Sequence, residues 1–158
     1  LISMHCGMFA AELVNWFCQE HDPHPELFDR LEQFLSDVQF CSKNEECVAL
    51  LIVFQLGLLS EVGGRLIFAR CANCKTPYSG RWPFVYFSSA ANGFVCPDCE
   101  ASFADKRRVG KSSAEILVDL QNISSASRQV IAEIESVLVM HFTELMHRRP
   151  KMAKYFAR

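Results

Sequence analysis

Two Cys-x-x-Cys pairs constrain the fold of this 158-residue chain more than any other feature of its sequence. Cys71 and Cys74 form the first pair, Cys96 and Cys99 form the second, and the 21 residues 75–95 lie between them. Each pair can direct two thiolates to one point, and the spacing is close to that of a four-cysteine zinc site. Four thiolates leave no coordination position open for water or substrate. The pattern therefore predicts one structural Zn²⁺ and argues against a catalytic metal.

A disulfide framework and a redox-active Cys-x-x-Cys motif are the alternatives to zinc. The first residues, Leu1 to His5, lack the basic start of a signal peptide, so a reducing cytoplasm is expected and disulfides are not. A redox motif normally occurs once and near a βαβ pattern, which this sequence does not have. The other four cysteines are scattered among apolar residues, where a thiol behaves as a small hydrophobe: Cys6, Cys18, Cys41 and Cys47.

Apolar residues recur at helical spacing on both sides of the cysteine pairs. The predicted helices cover residues 8–19, 25–38, 44–63, 112–123 and 127–149. Pro25 is expected at the first position of the second helix, Asn44 is expected to cap the third, and Ser112 is expected to open a capping box with Glu115. The third helix is apolar nearly all round from Cys47 to Leu59, so we expect it at the centre of a bundle.

Residues 65–104 lose the helical period and gain turn-forming and aromatic residues. Phe84 to Phe87 and Phe94 to Cys96 are strand-like runs, and Asn92-Gly93 between them is a strong hairpin signal. The predicted fold is mainly α, a bundle of about five helices with an inserted four-cysteine zinc ribbon that contains a short β-hairpin. Residues 1–64 and 105–158 form the two parts of the helical domain, residues 65–104 form the ribbon, and a basic linker follows it.

Charge is distributed unevenly along the chain. Residues 1–64 carry ten acids and two bases, a net charge of −8, whereas residues 65–158 carry eight acids and fourteen bases, a net charge of +6. This asymmetry favours an anionic partner for the second half, although the two halves attracting each other would explain it equally well. The candidate residues for binding DNA or an acidic peptide are Lys106, Arg107, Arg108, Arg148, Arg149 and Lys151.

Nothing in the sequence favours an enzyme or a membrane protein. His141 shares a helix face with Ile134 and Leu138, so it is expected to be a core histidine. Gly110-Lys111-Ser112 lacks the preceding glycine of a phosphate-binding loop, because Lys106 stands at that position. No stretch reaches the roughly 18 consecutive apolar residues of a membrane-spanning helix.

The order of elements and their motifs resemble the C-terminal region of the RecO family of DNA recombination and repair proteins. The resemblance spans essentially the whole chain and is carried by Ala11-Glu12-Leu13, Pro25-Glu26-Leu27-Phe28, Gly63, Cys71-x-x-Cys74, Val85-Tyr86-Phe87-Ser88, Gly93-Phe94-Val95-Cys96-x-x-Cys99 and Arg148-Arg149-Pro150-Lys151. Lys75 replaces a glycine that is frequent in the family, and Asn92-Gly93 replaces a frequent Gly-Gly. The N-terminal OB-fold of the family has no counterpart here, so the chain resembles the later part of a longer protein.

The resemblance implies a non-enzymatic mediator of recombinational repair. Proteins of this family bind single-stranded and double-stranded DNA, anneal complementary strands, contact the acidic tail of single-strand-binding protein, and act with RecR to help load RecA. The expected location is the bacterial cytoplasm, in association with the nucleoid. A receptor for that tail needs an apolar slot rimmed by Arg or Lys, and the helical domain is where it is expected. The alternative is a zinc-stapled protein-interaction module without intrinsic DNA binding.

Overall fold

The computed structural model describes residues 1–156, and in this range it has five α-helices and one three-stranded antiparallel sheet. The helices are α1 (Ile2–Phe17), α2 (Pro25–Asp37), α3 (Asn44–Glu61), α4 (Lys111–Val118) and α5 (Arg128–Met146), and the strands are β1 (Val85–Ser88), β2 (Gly93–Val95) and β3 (Arg107–Val109). Short 3-10 turns cover Val38–Phe40, Glu100–Ser102, Leu120–Ser125 and Lys151–Tyr155. The predicted fold class, mainly helical with about five helices and a small β element, is confirmed.

Helix α3 lies at the centre of the bundle, as its sequence predicts. It packs against α1, α2 and α5, so apolar side chains on several sides of the helix are removed from water. Leu51, Ile52, Phe54, Leu58 and Leu59 are each at most 1% exposed. No helix described in residues 1–156 is long and apolar enough to cross a membrane.

The helix starts agree with the sequence at Pro25 and Asn44 and differ by one residue at Ser112, but the predicted caps at Asn44 and Ser112 are not found. Pro25 is the first residue of α2. Asn44 is already inside α3, and the carboxylate of Glu46 accepts hydrogen bonds from the backbone N–H of Ser42 (2.9 Å) and Lys43 (3.2 Å). The predicted cap at Asn44 is therefore wrong: Lys43 is the N-cap residue, and the Glu46 carboxylate reaches back to the backbone donors that precede the helix.

The predicted capping box at Ser112 is also wrong, because α4 begins at Lys111 with Gly110 as its N-cap residue. Glu133 of α5 accepts hydrogen bonds from the Gly110 backbone N–H and the Ser113 hydroxyl, so the acceptor comes from a distant part of the chain.

Helix α5 ends at Met146 and His147 adopts a left-handed conformation with φ of 54°. Arg148, Arg149 and Lys151 therefore lie beyond the helix and not in its last turn.

The sheet contains the predicted hairpin and one strand that the sequence did not reveal. β1 pairs with β2 across the turn at Asn92, whose φ is 60° and whose amide donates a 2.8 Å hydrogen bond to the Arg65 carbonyl. Gly93 is required because the carbonyl oxygen of Ile67 occupies the position of a Cβ atom. β3 pairs with the other edge of β1, so residues 107–109, predicted as part of a basic linker, form a strand. Three residues are too few for an alternating pattern to be recognised in the sequence.

Candidate metal centre and arginine-lined cleft

The four cysteines of the predicted zinc site come together at one end of the sheet. Cys71 and Cys74 lie in the segment before β1, whereas Cys96 follows β2 directly and Cys99 lies in the next turn. Their Sγ atoms all lie within 4.8 Å of one another, and the Sγ atoms of Cys74 and Cys96 are 3.7 Å apart. Tetrahedral coordination at a Zn–S distance of about 2.3 Å separates the sulfurs by about 3.8 Å. The cluster therefore has the size of a four-thiolate metal site.

Hydrogen bonds around the cluster hold the sulfurs in place. The side-chain amide of Asn73 donates to Cys99 Sγ (3.3 Å), and the Cys96 backbone N–H donates to Cys71 Sγ (3.4 Å). Hydrogen bonds from Thr76, whose Oγ1 lies 3.2 Å from Cys74 Sγ, lower the pKa of Cys74 to about 6. Burial raises the pKa of Cys96 to about 12, so a bound cation would be needed to hold all four residues as thiolates.

The ribbon has only a small apolar core of its own. Cys71, Val95 and Cys96 form this core, with half-buried neighbours that include Trp82 and Phe103. Phe87 and Phe94 belong instead to the main core, so they support the ribbon and are not available to stack on a ligand. So few buried apolar residues contribute little stability, which is the usual setting for a structural metal.

The six predicted basic residues do not form one surface. Lys106 pairs with Glu100 (2.7 Å), Arg107 donates a 2.7 Å hydrogen bond to the Ser136 hydroxyl, and the Arg108 guanidinium lies 3.9 Å from the centre of the Phe84 ring. The Arg148 guanidinium lies 4.6 Å from the Trp16 ring centre, near the end of α1. Successive residues of a strand point to opposite faces, which explains why Arg107 and Arg108 separate.

Arg107 and Arg149 share a cleft of about 320 Å³ between β3 and α5. Lys151 lies next to α1 instead. Its backbone N–H and that of Met152 donate hydrogen bonds to the Glu12 carboxylate at 2.8 and 2.9 Å. The structure thus brings two of the six predicted basic residues together and places the others apart.

A larger cleft, of about 870 Å³, was not predicted from the sequence. It lies between α3, the segment 65–70 and the end of α4. Its lining includes the basic residues Arg30, Arg65 and Arg70, the acidic residue Asp119, and the apolar residues Leu56, Leu66, Phe68 and Leu117. Arg30 is far in the sequence from Arg65 and Arg70, and the three arginines share no motif. The sequence offered one indication of a special role for Arg30, which is one of only two basic residues in the acidic first 64 residues.

His141, Cys6 and Cys47 are core residues, and Cys18 and Cys41 are half-buried against the core, so the scattered cysteines lie in apolar surroundings as predicted. His141 is 1% exposed, its Nδ1 lies 2.6 Å from the Ser89 hydroxyl, and burial lowers its pKa to about 4, so it is neutral. Burial also raises the pKa of Cys6, and it raises that of Cys41 to about 12. All eight cysteines are free of disulfide bonds.

Comparison with known proteins identifies the family. The family described as "Recombination protein O C terminal" matches residues 1–153. A protein named DNA repair protein RecO from Anaeromyxobacter dehalogenans strain 2CP-C is 34% identical over 94 residues, which are 60% of this chain and 35% of that protein. A protein of the same name from Pelotomaculum thermopropionicum is 31% identical over 114 residues, which are 72% of this chain and 42% of that protein. The protein of that name from Anaeromyxobacter sp. strain K is 28% identical over 80% of this chain and 49% of its own. The chain thus spans less than half the length of these relatives, and it belongs to the recombination protein O C-terminal family.

Proposed function

We propose that the chain is a non-enzymatic part of a mediator of DNA repair and homologous recombination. Family membership and the name of its relatives, DNA repair protein RecO, support the general role. In the proposed role the protein acts in the bacterial cytoplasm, binds single-stranded and double-stranded DNA and the acidic tail of single-strand-binding protein, and works with RecR to help RecA load and complementary strands anneal. One structural Zn²⁺ held by Cys71, Cys74, Cys96 and Cys99 would stabilise the ribbon.

The observation that carries the tail-binding proposal is the large cleft between α3 and the segment 65–70. An acidic peptide that ends in an apolar residue and a free carboxylate needs an apolar slot with cationic groups at its rim. Leu56, Phe68 and Leu117 supply apolar walls, and the exposed side chains of Arg65 and Arg70 lie at the edge. Three arginines against one aspartate leave the cleft net positive.

The absence of a catalytic role is also part of the proposal. A cage of four thiolates has no free metal position, and a buried neutral histidine with a low pKa is a poor general base at neutral pH. The competing proposal, a protein-interaction module that does not bind DNA, is supported by the same cleft. The salt dependence of DNA binding separates the two.

Fluorescence anisotropy of a labelled acidic peptide with an apolar last residue and a free C-terminal carboxylate tests the cleft. We expect saturable binding by the metal-loaded chain, weakened about tenfold or more by the double substitution Arg65→Glu and Arg70→Glu. The same peptide without its last residue is the matched ligand control.

The sequence-based candidates supply the control variant. Reversing the charge of Arg148, Arg149 and Lys151 should change the affinity for the peptide by less than about twofold, because these residues lie away from the cleft. A large loss in this triple variant, with the Arg65 and Arg70 variant unaffected, would move the peptide site to the C-terminal basic residues. If the parent protein does not bind the full peptide, the proposed tail-binding role is refuted.

A further inference from the structure

The side chain of Arg30 lies flat across helix α3 at Gly57. A Cβ atom added at Gly57 would lie 2.6 Å from Arg30 Cδ, 2.7 Å from Nε and 2.8 Å from Cζ. Glycine is one of the poorest helix formers, and here it stands within an 18-residue helix. Its lack of a side chain is what lets the stem and guanidinium of Arg30 approach the helix backbone. Arg30 and Gly57 both line the large cleft.

Glu61 of the same helix contacts this guanidinium as well. Its Oε1 lies 3.4 Å from Arg30 Nη2, one helical turn beyond Gly57 on α3. The side chains of Arg30 and Glu61 are 41% and 28% exposed, so the pair is partly hydrated and the bond is weak. A second carboxylate can therefore replace that of Glu61 without a large barrier from desolvation.

We propose that Glu61 is an internal competitor for the carboxylate of an acidic peptide at Arg30, and that Gly57 is the positioning residue that keeps Arg30 at the cleft. This proposal rests on the proposed function and concerns the regulation of the same site. In the free protein Glu61 neutralises Arg30, which lowers the affinity of the cleft for anions in general. A peptide whose apolar end also fills the cleft gains the additional contacts that displace Glu61, whereas an isolated anion does not.

The substitution Glu61→Gln tests the competition. Removing a partly exposed ion pair should raise the affinity for the labelled acidic peptide about two- to fivefold. Glu45→Gln is the matched control, because Glu45 also pairs with an arginine, Arg128, at 3.7 Å, and neither residue lines the cleft. Both variants change the net charge equally. A gain shared by both would be a general electrostatic effect and would overturn the proposal.

The role of Arg30 in this competition is tested by a double-mutant cycle. In an Arg30→Ala background, Glu61→Gln should no longer change the peptide affinity beyond the change given by Glu45→Gln, because the competitor acts through the guanidinium. An undiminished effect of Glu61→Gln without Arg30 would show that Glu61 simply repels the peptide, and the proposal would fail.

The substitution Gly57→Ala tests the positioning. The methyl group would collide with the flexible end of the Arg30 side chain and not with backbone, and alanine favours the helix, so the variant should be at least as stable as the parent. Its peptide affinity should nevertheless fall to that of Arg30→Ala. Gly80→Ala, at a glycine with open space around it, is the control. A stable Gly57→Ala variant with unchanged affinity would overturn the positioning role.

The outcomes separate this proposal from the proposed function. If the parent chain binds the peptide and loses affinity with Arg65→Glu and Arg70→Glu, but Glu61→Gln behaves like Glu45→Gln, the tail-binding function stands and the internal competitor does not. If neither the parent nor Glu61→Gln binds the peptide, both are refuted.

Discussion

At the scale of single residues, Glu135 of α5 is a carboxylic acid placed in the helical core. It is 1% exposed, and its Oε1 accepts a 2.9 Å hydrogen bond from the side-chain amide of Gln55 in α3. Gln55 Oε1 and Glu135 Oε2 have no hydrogen-bond partner among the described residues. Burial raises the pKa of Glu135 to about 7. The sequence offered no sign of this pair, because a glutamate in a helix is normally on the solvent side.

This burial predicts that the contribution of Glu135 to stability falls as the pH rises. Below the ordinary pKa of 4.5 the carboxyl is protonated in both the folded and the unfolded state, so burying it does not require a proton to be taken up. Between pH 4.5 and about 7 the unfolded chain releases the proton while the folded chain retains it. The contribution of Glu135 to the free energy of unfolding therefore decreases across this window, by on the order of 3 kcal/mol, and is constant above it. Buried His141, whose pKa is lowered to about 4, changes stability in the opposite direction, so the Glu135 contribution is measured as a difference between the parent and Glu135→Gln in urea denaturation between pH 4.5 and 8.

Glu135→Gln should remove the Glu135 contribution, because the amide does not titrate and can donate to Gln55 Oε1, so the stability of this variant should gain on that of the parent as the pH rises from 4.5 to about 7. Glu144→Gln, at an exposed position of the same helix, should leave the parent profile unchanged. An equal pH dependence in the parent and in Glu135→Gln would show that Glu135 is not the titrating group.

At the scale of elements, the sequence predicts the helices and the ribbon better than their ends. The second and third helices and the hairpin are found where apolar periodicity, Pro25 and Asn92-Gly93 place them. The start of α4 depends on Glu133, twenty residues away from Ser113, and β3 is recognisable only once it pairs with β1. Local patterns contain no information on such partners. Lys75 illustrates the opposite case, since its φ of 68° is a left-handed conformation that glycine adopts readily, in keeping with the glycine expected there from the family resemblance.

The ribbon is the element that we expect to depend on metal. Cys96→Ser should lower the zinc content below one ion per chain and increase hydrogen exchange in residues 65–104, while far-UV circular dichroism retains most of the helical signal. The helices have their own core, which is why they should survive. Cys18→Ser, outside the cluster and half-buried, is the matched control and should keep full zinc and full protection. Full zinc content in Cys96→Ser would refute the ligand assignment.

At the scale of the whole molecule, few of the described ion pairs join the acidic first half of the chain to the basic second half. The described ion pairs mostly join residues of the same half, such as Arg30 with Glu61 and Lys106 with Glu100, whereas Arg128 with Glu45 joins the two. Ion pairing between the two halves thus explains little of the uneven charge distribution. This favours the other interpretation, an anionic partner for the second half. The large cleft and the cleft of Arg107 and Arg149 have no lining residue in common, so the proposed peptide and DNA ligands would contact different residues.

This separation predicts that DNA binding and peptide binding respond to different substitutions. For duplex DNA the slope of log K against log salt is about −0.9 for each phosphate neutralised. Arg107→Ala with Arg149→Ala should make this slope shallower by up to about 1.8 and leave the peptide affinity unchanged. Arg65→Ala with Arg70→Ala removes the same charge and should do the reverse. Equal slopes in the parent and the Arg107 and Arg149 variant would place the DNA surface elsewhere, and DNA binding too weak to measure at any salt concentration would favour the interaction module.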